Sequence, residues 1–189
     1  MDLLSIFSAF GLSASAGLNA YIPLLVVGVI AHYTDWLELN APFDLLANPW
    51  VLIVIGVLAI VEMVADKVPA VNHINDAIMT LIRPAAGAIV FAASANVITD
   101  LNPILALVLG LLIAGGVHAT KAVAIRPAVT ATTGGMANTP VSILEDLVAA
   151  VLSVLAVVLP VLVVIFIVLL AALVAWWLWR RAQKRKAGA

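Results

Sequence analysis

The sequence contains no cysteine and unusually little charge, since only 10% of its 189 residues are Asp, Glu, Lys or Arg. Without cysteine the chain has no disulfide, no thiolate metal site and no cysteine nucleophile. Soluble domains carry about 25% charged residues. The low charge therefore excludes a soluble globular enzyme, a disordered regulator and a nucleic-acid-binding protein. A net charge of −1 also provides no overall field that would attract a polyanion.

Hydrophobic residues make up 65% of the chain, and the mean hydropathy is +1.23. At about 20 residues per span, a chain of this length holds at most six or seven transmembrane helices and no separate soluble domain. We therefore predict an all-α, polytopic transmembrane helix bundle of about six spans. Residues 1–179 would form one integral membrane domain, and residues 180–189 a basic cytoplasmic tail. The lipid bilayer is then the first expected partner, and no nucleic acid is expected.

The apolar stretches predict where the spans lie. They cover residues 3–31 (with a broken middle at 13–23), 49–65, 84–98, 103–120 and 141–178. The last stretch would form one helix about 57 Å long, nearly twice the hydrocarbon thickness, so we expect it to fold back near Pro160 as two spans. Residues 72–83 have apolar side chains at helical spacing, which indicates a short amphipathic helix that lies at the inner surface or re-enters.

Charge placement predicts the orientation. The tail from Arg180 to Lys186 holds five bases directly after the last span, which places it in the cytoplasm. Six spans then put both termini on the cytoplasmic side and the acidic loop 32–48 outside. The basic tail would also suit binding to an anionic lipid.

An internal repeat is predicted from a match of the chain with itself at an offset of 54 residues. The matching positions are Asn48-Pro49 with Asn102-Pro103, Gly56 with Gly110, Ala65 with Ala119, Lys67 with Lys121, and Ile82-Arg83-Pro84-Ala85 with Ile125-Arg126-Pro127-Ala128. We refer to residues 48–85 as the first copy and to residues 102–128 as the second copy. Separately, residues 17–23 are similar to residues 135–140, and both segments are expected to be broken or re-entrant. Paired, Gly/Pro-interrupted hydrophobic segments are typical of transporter binding sites.

Ionisable residues inside a membrane are candidate functional groups because uncompensated charge there is costly. Glu62 and Asp66 are four residues apart and so share one helix face. This pair would suit a proton or cation site. It equally suits a structural network in which Lys67, Arg83 or Arg126 neutralises the carboxylates.

Further candidates flank the broken segments. Asn19 and Asn138 are expected to line a polar cavity, or else to cap the broken helices. Glu145 and Asp146 are adjacent and point about 100° apart on a helix. We therefore expect only one of them to face the cavity, while the other caps, pairs with a base or reaches the interface.

His118 and Lys121 are three residues apart on one face at the inner end of a span. They would form a proton relay or an anion contact, or His118 would simply be hydrogen-bonded. Together with these, nine charged residues are predicted in the cytoplasmic half of the bundle, where they would form one compact polar site. They are Glu62, Asp66, Asp76, Glu145 and Asp146 against Lys67, Arg83, Lys121 and Arg126.

Five motifs carry a resemblance to a known family. They are GLNAYIP at 17–23, EMVADKVP at 62–69, RPAAG at 83–87, HATKA at 118–122, and the acidic pair at 145–146. On these motifs the chain resembles a bacterial family of small multi-pass inner-membrane proteins catalogued as a domain of unknown function. The resemblance covers nearly all of the chain except the last span and the tail. It implies a bacterial inner membrane and no established activity.

Three functions are consistent with these observations. The leading hypothesis is a small transporter or exchanger for an ion or small polar solute, in which Arg83, Lys121 and Arg126 balance the charge. The alternative is a flippase or enzyme that grips a phospholipid or isoprenoid phosphate headgroup with these bases and His118. The third is a non-transporting scaffold with an inert salt-bridge network. No cofactor is indicated, and the small size of the bundle favours a homodimer.

Overall fold

The computed structural model describes residues 3–67, 69–95 and 101–160, together with positions 162, 165, 168, 169, 172, 173, 176 and 180. These residues are helical or lie in turns and loops, with no β-strand among them, and the all-α prediction is confirmed. The elements are α1 (Leu3–Leu18), α2 (Tyr21–Tyr33), a 3₁₀ turn (Phe43–Ala47), α3 (Pro49–Ala65), α4 (Pro69–Ala95), α5 (Pro103–Thr120), a π-helical turn (Lys121–Ile125), α6 (Arg126–Thr133) and α7 (Asn138–Val158).

Several helices suit a bilayer. Three of them are long and apolar enough to cross it, over Asn75–Ser94, Pro103–Thr133 and Asn138–Val158. Shorter apolar helices cover Leu4–Leu18, Tyr21–Tyr33 and Pro49–Ala65. Large apolar side chains on α3 and α5, such as Ile60 and Leu112, are exposed on the outside of the bundle, as expected for lipid-facing helices.

Helices α3 and α5 begin in the same way. Asn48 Oδ1 accepts a hydrogen bond of 2.9 Å from Trp50 N, and Asn102 Oδ1 accepts one of 2.9 Å from Ile104 N. In both helices proline occupies the first helical position, where its missing N–H costs nothing. The Asn-Pro pairs that align in the two copies are therefore both helix starts.

The first apolar stretch is two helices that run in opposite directions, so the segment expected to be broken or re-entrant reverses the chain. The break itself lies at Asn19, inside the predicted segment 13–23. Asn19 Oδ1 accepts 3.1 Å hydrogen bonds from Tyr21 N and Ile22 N, and so starts α2. Gly28 of α2 then packs against Leu52 near the start of α3, while Ala20 N lies against Glu62 near the end of α3. Helix α2 is thus antiparallel to α3 and returns towards the start of α1.

The helices define two ends of the bundle. At one, which we call the loop end, Ile6 near the start of α1 joins the same apolar cluster as Phe43 of the loop 34–48 and Leu101 before α5. At the other, which we call the charged end, Asn19, Glu62 and Asp66 meet. Leu3 and the loop 34–48 therefore lie at the same end. The hairpin of α1 and α2 therefore places the start of α1 beside this loop, whereas the orientation predicted from charge places the N-terminus and the loop on opposite sides of the membrane.

Helix α4 is continuous through Pro84, whereas the sequence predicts a short amphipathic helix followed by a separate span. A proline removes one backbone hydrogen bond, and α4 is held on both sides of it by its neighbours. Within its first half, Asn75 and Met79 are buried, while Ile78 and Leu81 are exposed. The apolar face thus points outwards and the polar face into the bundle. A helix lying on a membrane surface would instead expose its polar face to water.

The packing around α5 depends on glycine. Gly110 of α5 contacts Gly87 of α4 so closely that a Cβ on either residue would overlap backbone atoms of the other helix. Ser13 of α1 donates a 2.9 Å hydrogen bond to the backbone oxygen of Gly87 on α4. Small residues allow membrane helices to approach in this way. Helices α1, α4 and α5 therefore form a tightly packed centre.

Helix α7 ends at Val158, because Leu159 leaves the helical conformation immediately before Pro160. The residue before a proline is disfavoured in the α-helical region, so the break near Pro160 is where the sequence predicts it. Whether residues 160–178 turn back through the membrane lies outside the described residues, as does most of the basic tail. Arg180, at its start, lies over the ring of Trp176 at 4.4 Å.

Candidate functional site

Asp66 is the centre of a buried ionic network at the charged end. It follows α3 directly, and its Oδ2 lies 3.1 Å from Arg83, 3.3 Å from Lys121 Nζ and 3.2 Å from Arg126. Its other oxygen, Oδ1, accepts a 2.6 Å hydrogen bond from Asn75. The side chain is 1% exposed. One carboxylate of the first copy thus binds the arginines of both copies and the lysine of the second copy.

Arg83 connects Asp66 to a second buried carboxylate. Its guanidinium, which is 0% exposed, lies 3.0 Å from Glu62 Oε1 and donates to it through Nε. Another guanidinium nitrogen lies 3.0 Å from His118 Nδ1. A guanidinium only donates, so Nδ1 must be the unprotonated nitrogen, and His118 is neutral with its proton on Nε2, towards Thr80. His118 is therefore a hydrogen-bonding partner of Arg83 and adds no charge to the network.

Helix α7 contributes two adjacent carboxylates, and both are buried and paired. Asp146 Oδ2 accepts a 2.7 Å hydrogen bond from Lys67. Glu145 Oε2 lies 2.8 Å from Lys121 Nζ and 3.5 Å from Arg126. Their different directions lead to different cations, and the pairing of Asp146 with Lys67 is one of the alternatives expected for the second carboxylate. Lys67 and Lys121, which align in the two copies, thus bind neighbouring residues of α7.

The turn between α1 and α2 is part of the same network. Ala20 N donates a 3.0 Å hydrogen bond to Glu62 Oε2, and Asn19 Nδ2 donates one of 3.0 Å to Asp146. Lys121 Nζ donates to Leu18 O at 3.3 Å. The turn therefore joins α3 and Lys121 through backbone groups that the break in the first apolar stretch leaves free, and it joins α7 through the side chain of Asn19.

The charges of the network do not cancel. All nine charged residues that the sequence assigns to the cytoplasmic half form ion pairs here, five carboxylates against four cations. Asp146 and Lys67 form a pair of their own, whereas four carboxylates (Glu62, Asp66, Asp76 and Glu145) share three cations (Arg83, Lys121 and Arg126). Among the described residues, this larger group has one negative charge in excess, and Asp76, at 24% exposure, is its most exposed member.

A cavity of about 670 Å³ opens beside this network. Its charged lining consists of Asp66, Lys67, Asp76 and Arg126. The opposite wall is the turn from α6 to α7, where Gly134 and Gly135 have positive φ angles of 63° and 88° that glycine adopts without strain. The buried network can thus be reached from the charged end of the bundle.

Asn138 lies in the wall of this cavity and not in the network. It exchanges hydrogen bonds with Thr130 across the turn, at 3.0 Å and 3.3 Å. The structure therefore brings Asn19, Glu62 and Asp66 together, and it places Asn138 on the opposite wall of the cavity that Asp66 lines.

Asn75 is a polar group of the site that is absent from the sequence-based candidates. Asn75, Met79 and Arg83 are spaced by four residues and are all buried, so they form one stripe along α4. That spacing was visible in the sequence. It was masked by the more obvious apolar stripe that includes Ile78 and Leu81, which faces outwards.

Comparison with known proteins places the chain in a family. No curated protein and no solved structure matches it significantly. The family described as "Domain of unknown function (DUF4126)" matches residues 6–181, which is almost the whole chain. The protein with this buried network of charges therefore belongs to the DUF4126 family.

Proposed function

We propose that this chain is a membrane transporter that moves an ion or small polar solute and uses a proton or a monovalent cation for coupling. The observation that carries the proposal is a largely buried ionic network that has one carboxylate more than it has cations and that borders an open cavity. An uncompensated charge in a low-dielectric interior is strongly unfavourable. The network is neutral only when it holds one positive charge more than its side chains supply, and this is the property that a coupling ion requires.

The depth of the network supports this function. Helix α1, with 16 residues, and α2, with 13, would be about 24 Å and about 20 Å long, less than the hydrocarbon thickness of about 30 Å. If α1 begins and α2 ends at the loop-end boundary, the turn at Asn19 lies within the nonpolar layer. Backbone that is not helical at such a depth is tolerated where it is buried in protein or lines a polar cavity. Transporters use such interrupted helices to bind substrates and ions.

We further propose that the charged end faces the cytoplasm of a bacterium and that the protein lies in the inner membrane. Lys67, Lys121 and Arg126 lie at this end, whereas the loop 34–48 carries Asp35, Glu38 and Asp44 and no Lys or Arg. In this orientation the start of α1 lies outside. The cavity then opens to the cytoplasm.

The test is ion flux in proteoliposomes loaded with a pH-sensitive dye. Gradients of Na⁺ or K⁺, and then mixtures of amino acids or of carboxylic acids, are applied in turn. We expect at least one of them to drive proton or Na⁺ movement. Asp66→Asn should abolish this flux, because it removes the carboxylate that binds three cations. Asp44→Asn, on the exposed loop, is the matched control and should leave it unchanged.

Two results would overturn the proposal. One is the absence of proton and Na⁺ flux for every probe with protein that elutes as a folded species in size-exclusion chromatography. The other is rapid transbilayer movement of a fluorescent phospholipid without any ion flux, which would assign the bases to a lipid headgroup.

A further inference from the structure

Two carboxylates line the cavity beside the network, and they differ in how well their charge is supported. Asp66 Oδ2 has three cations within 3.3 Å, and its Oδ1 accepts the hydrogen bond from Asn75. Asp76 Oδ2 lies 3.6 Å from Arg126, and its Oδ1 accepts no hydrogen bond from the described residues. A carboxylate with so few partners gains most from a new hydrogen-bond donor. At this cavity Asp76 is therefore the carboxylate that a ligand can best stabilise.

Two cations also line the cavity, and they differ in the same way. Arg126 is shared by three carboxylates, at 3.2, 3.5 and 3.6 Å. Lys67 donates two hydrogen bonds to described residues, of 2.7 Å to Asp146 and 2.8 Å to Met63 O. An ammonium group has three donors, and the side chain of Lys67 is 26% exposed. Lys67 can therefore donate a further hydrogen bond into the cavity.

Lys67 and Asp76 are held near each other. They directly follow Asp66 and Asn75 in the sequence, and those two side chains share a 2.6 Å hydrogen bond. The end of α3 is thus fastened to the first half of α4, and both charged residues border the same cavity. A single ligand can contact a cation and a carboxylate at the same time.

The rest of the wall suits a small organic solute. It combines short apolar side chains with polar ones, namely Ala122, Pro127 and Ala131 with Thr130, Asn138 and Thr139. The volume of about 670 Å³ is within the range of about 300–1,000 Å³ that is usual for small-molecule sites. A bare metal ion needs several ligands close around it. In the part of the chain that the structure describes, no group of three or more His, Cys, Asp or Glu could hold one.

We propose that the cavity binds a small zwitterion of the amino-acid class, with its ammonium group at Asp76 and its carboxylate at Lys67. This inference rests on the proposed function and names the class of solute. The coupling ion supplies the one positive charge that the network lacks, so a solute that binds together with it must carry no net charge to keep the buried site neutral. A free amino acid meets this condition, and its two charged groups match the two side chains that have room for another partner.

Equilibrium binding to the purified chain in phosphatidylcholine nanodiscs tests the assignment without any transport. The probes are radiolabelled glycine, L-alanine, L-serine and L-valine, each in Na⁺ and in K⁺ buffer so that either coupling ion is present. We expect at least one of them to bind. Its analogues without the carboxylate or without the ammonium group (ethylamine and propionate in the case of L-alanine) should compete at least about tenfold more weakly, because each loses one charge-assisted contact.

Asp76→Asn tests the ammonium position. It keeps the shape of the side chain but removes its charge, and it should weaken binding of the amino acid at least about tenfold. Binding of the labelled acid without an ammonium group should not weaken, a selectivity that a merely structural role of Asp76 would not produce. Asp44→Asn, on the exposed loop, is the control and should bind the amino acid like the wild type. If Asp76→Asn does not fold, the truncated ligands still decide between the outcomes.

Several results would overturn the proposal. They are a folded chain that binds none of the amino acids, an amine or acid that competes as strongly as the amino acid, or unchanged binding in Asp76→Asn. Tighter binding of glycerophosphoethanolamine than of every amino acid would also overturn it and assign the cavity to a zwitterionic lipid headgroup. Any of these results together with ion flux in proteoliposomes would leave the transporter proposal intact. Amino-acid binding as expected without any flux would instead remove the transporter proposal and keep the binding site.

Discussion

The two copies have the same helix start but differ in charge at their other ends. Each starts with an Asn-Pro cap and reaches a lysine at the charged end, Lys67 in the first copy and Lys121 in the second. In the first copy two carboxylates, Glu62 and Asp66, precede the lysine. At the aligned positions the second copy has Gly116 and Thr120, which are neutral.

This difference explains why the copies bind each other. Asp66 of the first copy contacts Lys121 and Arg126 of the second, and α7 supplies the remaining acids. Two identical copies would have placed carboxylates against carboxylates. The last turns of α3 and α5 are therefore complementary in charge, and the ion pairs between them join the two segments.

The arginines of the two copies also differ in their surroundings. Arg83 lies within the continuous helix α4 and is 0% exposed, whereas Arg126 begins the short helix α6 and is 11% exposed at the cavity. The cause is the connection between lysine and arginine. Arg83 follows Lys67 by 16 positions in the first copy, where a new helix forms, and Arg126 follows Lys121 by 5 positions in the second, where the π-helical turn continues α5.

Removing these arginines should give the largest difference between the copies. Arg83→Ala leaves Glu62 and Asp66 buried with less compensation, and breaking a buried ion pair in this way costs about 3–5 kcal/mol. Arg126→Ala should cost less, about 1.5–3 kcal/mol, because water in the cavity can reach the vacated position. The free energy of unfolding in mixed micelles of lipid and SDS measures both.

A second substitution makes this comparison sharper. Glu62→Gln in the Arg83→Ala background removes one of the two orphaned charges and should recover part of the lost stability. The same change in the Arg126→Ala background should recover less, since the ion pairs of Arg126 join it to Asp66, Asp76 and Glu145. Equal losses for the two arginines would contradict the proposed difference in surroundings.

Much of this comparison could be predicted from the sequence, because charge is scarce and every ionisable residue in a span needs a partner. The nine charges at one end of the bundle and the two Asn-Pro helix starts follow from such local rules. The reversal at Asn19 does not. Its turn carries no charge of its own and is stabilised by Glu62 and Lys121, which are distant in sequence. A hydropathy profile identifies an apolar stretch but does not show where the chain reverses direction within it.

The continuity of α4 was hidden for a related reason. Pro84 in isolation indicates a boundary, but Gly110 of α5 and Ser13 of α1 hold the helix just after it at Gly87, and the ion pairs of Arg83 hold it just before. Glu145 and Asp146 likewise point in different directions, as predicted. That both reach cations depends on Lys67 and Lys121 approaching α7 from two helices, which no local pattern contains.

The aligned glycines should give an intermediate effect. Gly110 lies where α5 meets Gly87 and Phe91 of α4, and a Cβ there would overlap backbone atoms. Gly110→Ala should therefore destabilise the protein by about 1–3 kcal/mol through overpacking. Gly56 has nothing within 4 Å of the position of a Cβ, so Gly56→Ala should be neutral or stabilise by up to about 1 kcal/mol. The same unfolding measurement applies. A similar loss at both glycines would mean that α3 is packed as tightly as α5.

Removing the helix caps should give the smallest difference in stability between the copies, because the cap hydrogen bond is the same in both. Asn48 and Asn102 are both exposed, and each accepts a hydrogen bond of 2.9 Å from the second residue of its helix. Replacing either by alanine removes one such bond and should cost about 1 kcal/mol. Asn40→Ala, in the exposed loop, is the matched control, since its side chain makes no hydrogen bond with the described residues. Equal losses in unfolding free energy for Asn48→Ala and Asn102→Ala would mean that the two helices differ only at their charged ends. A clearly larger loss for one variant would mean that the starts of α3 and α5 also differ in stability.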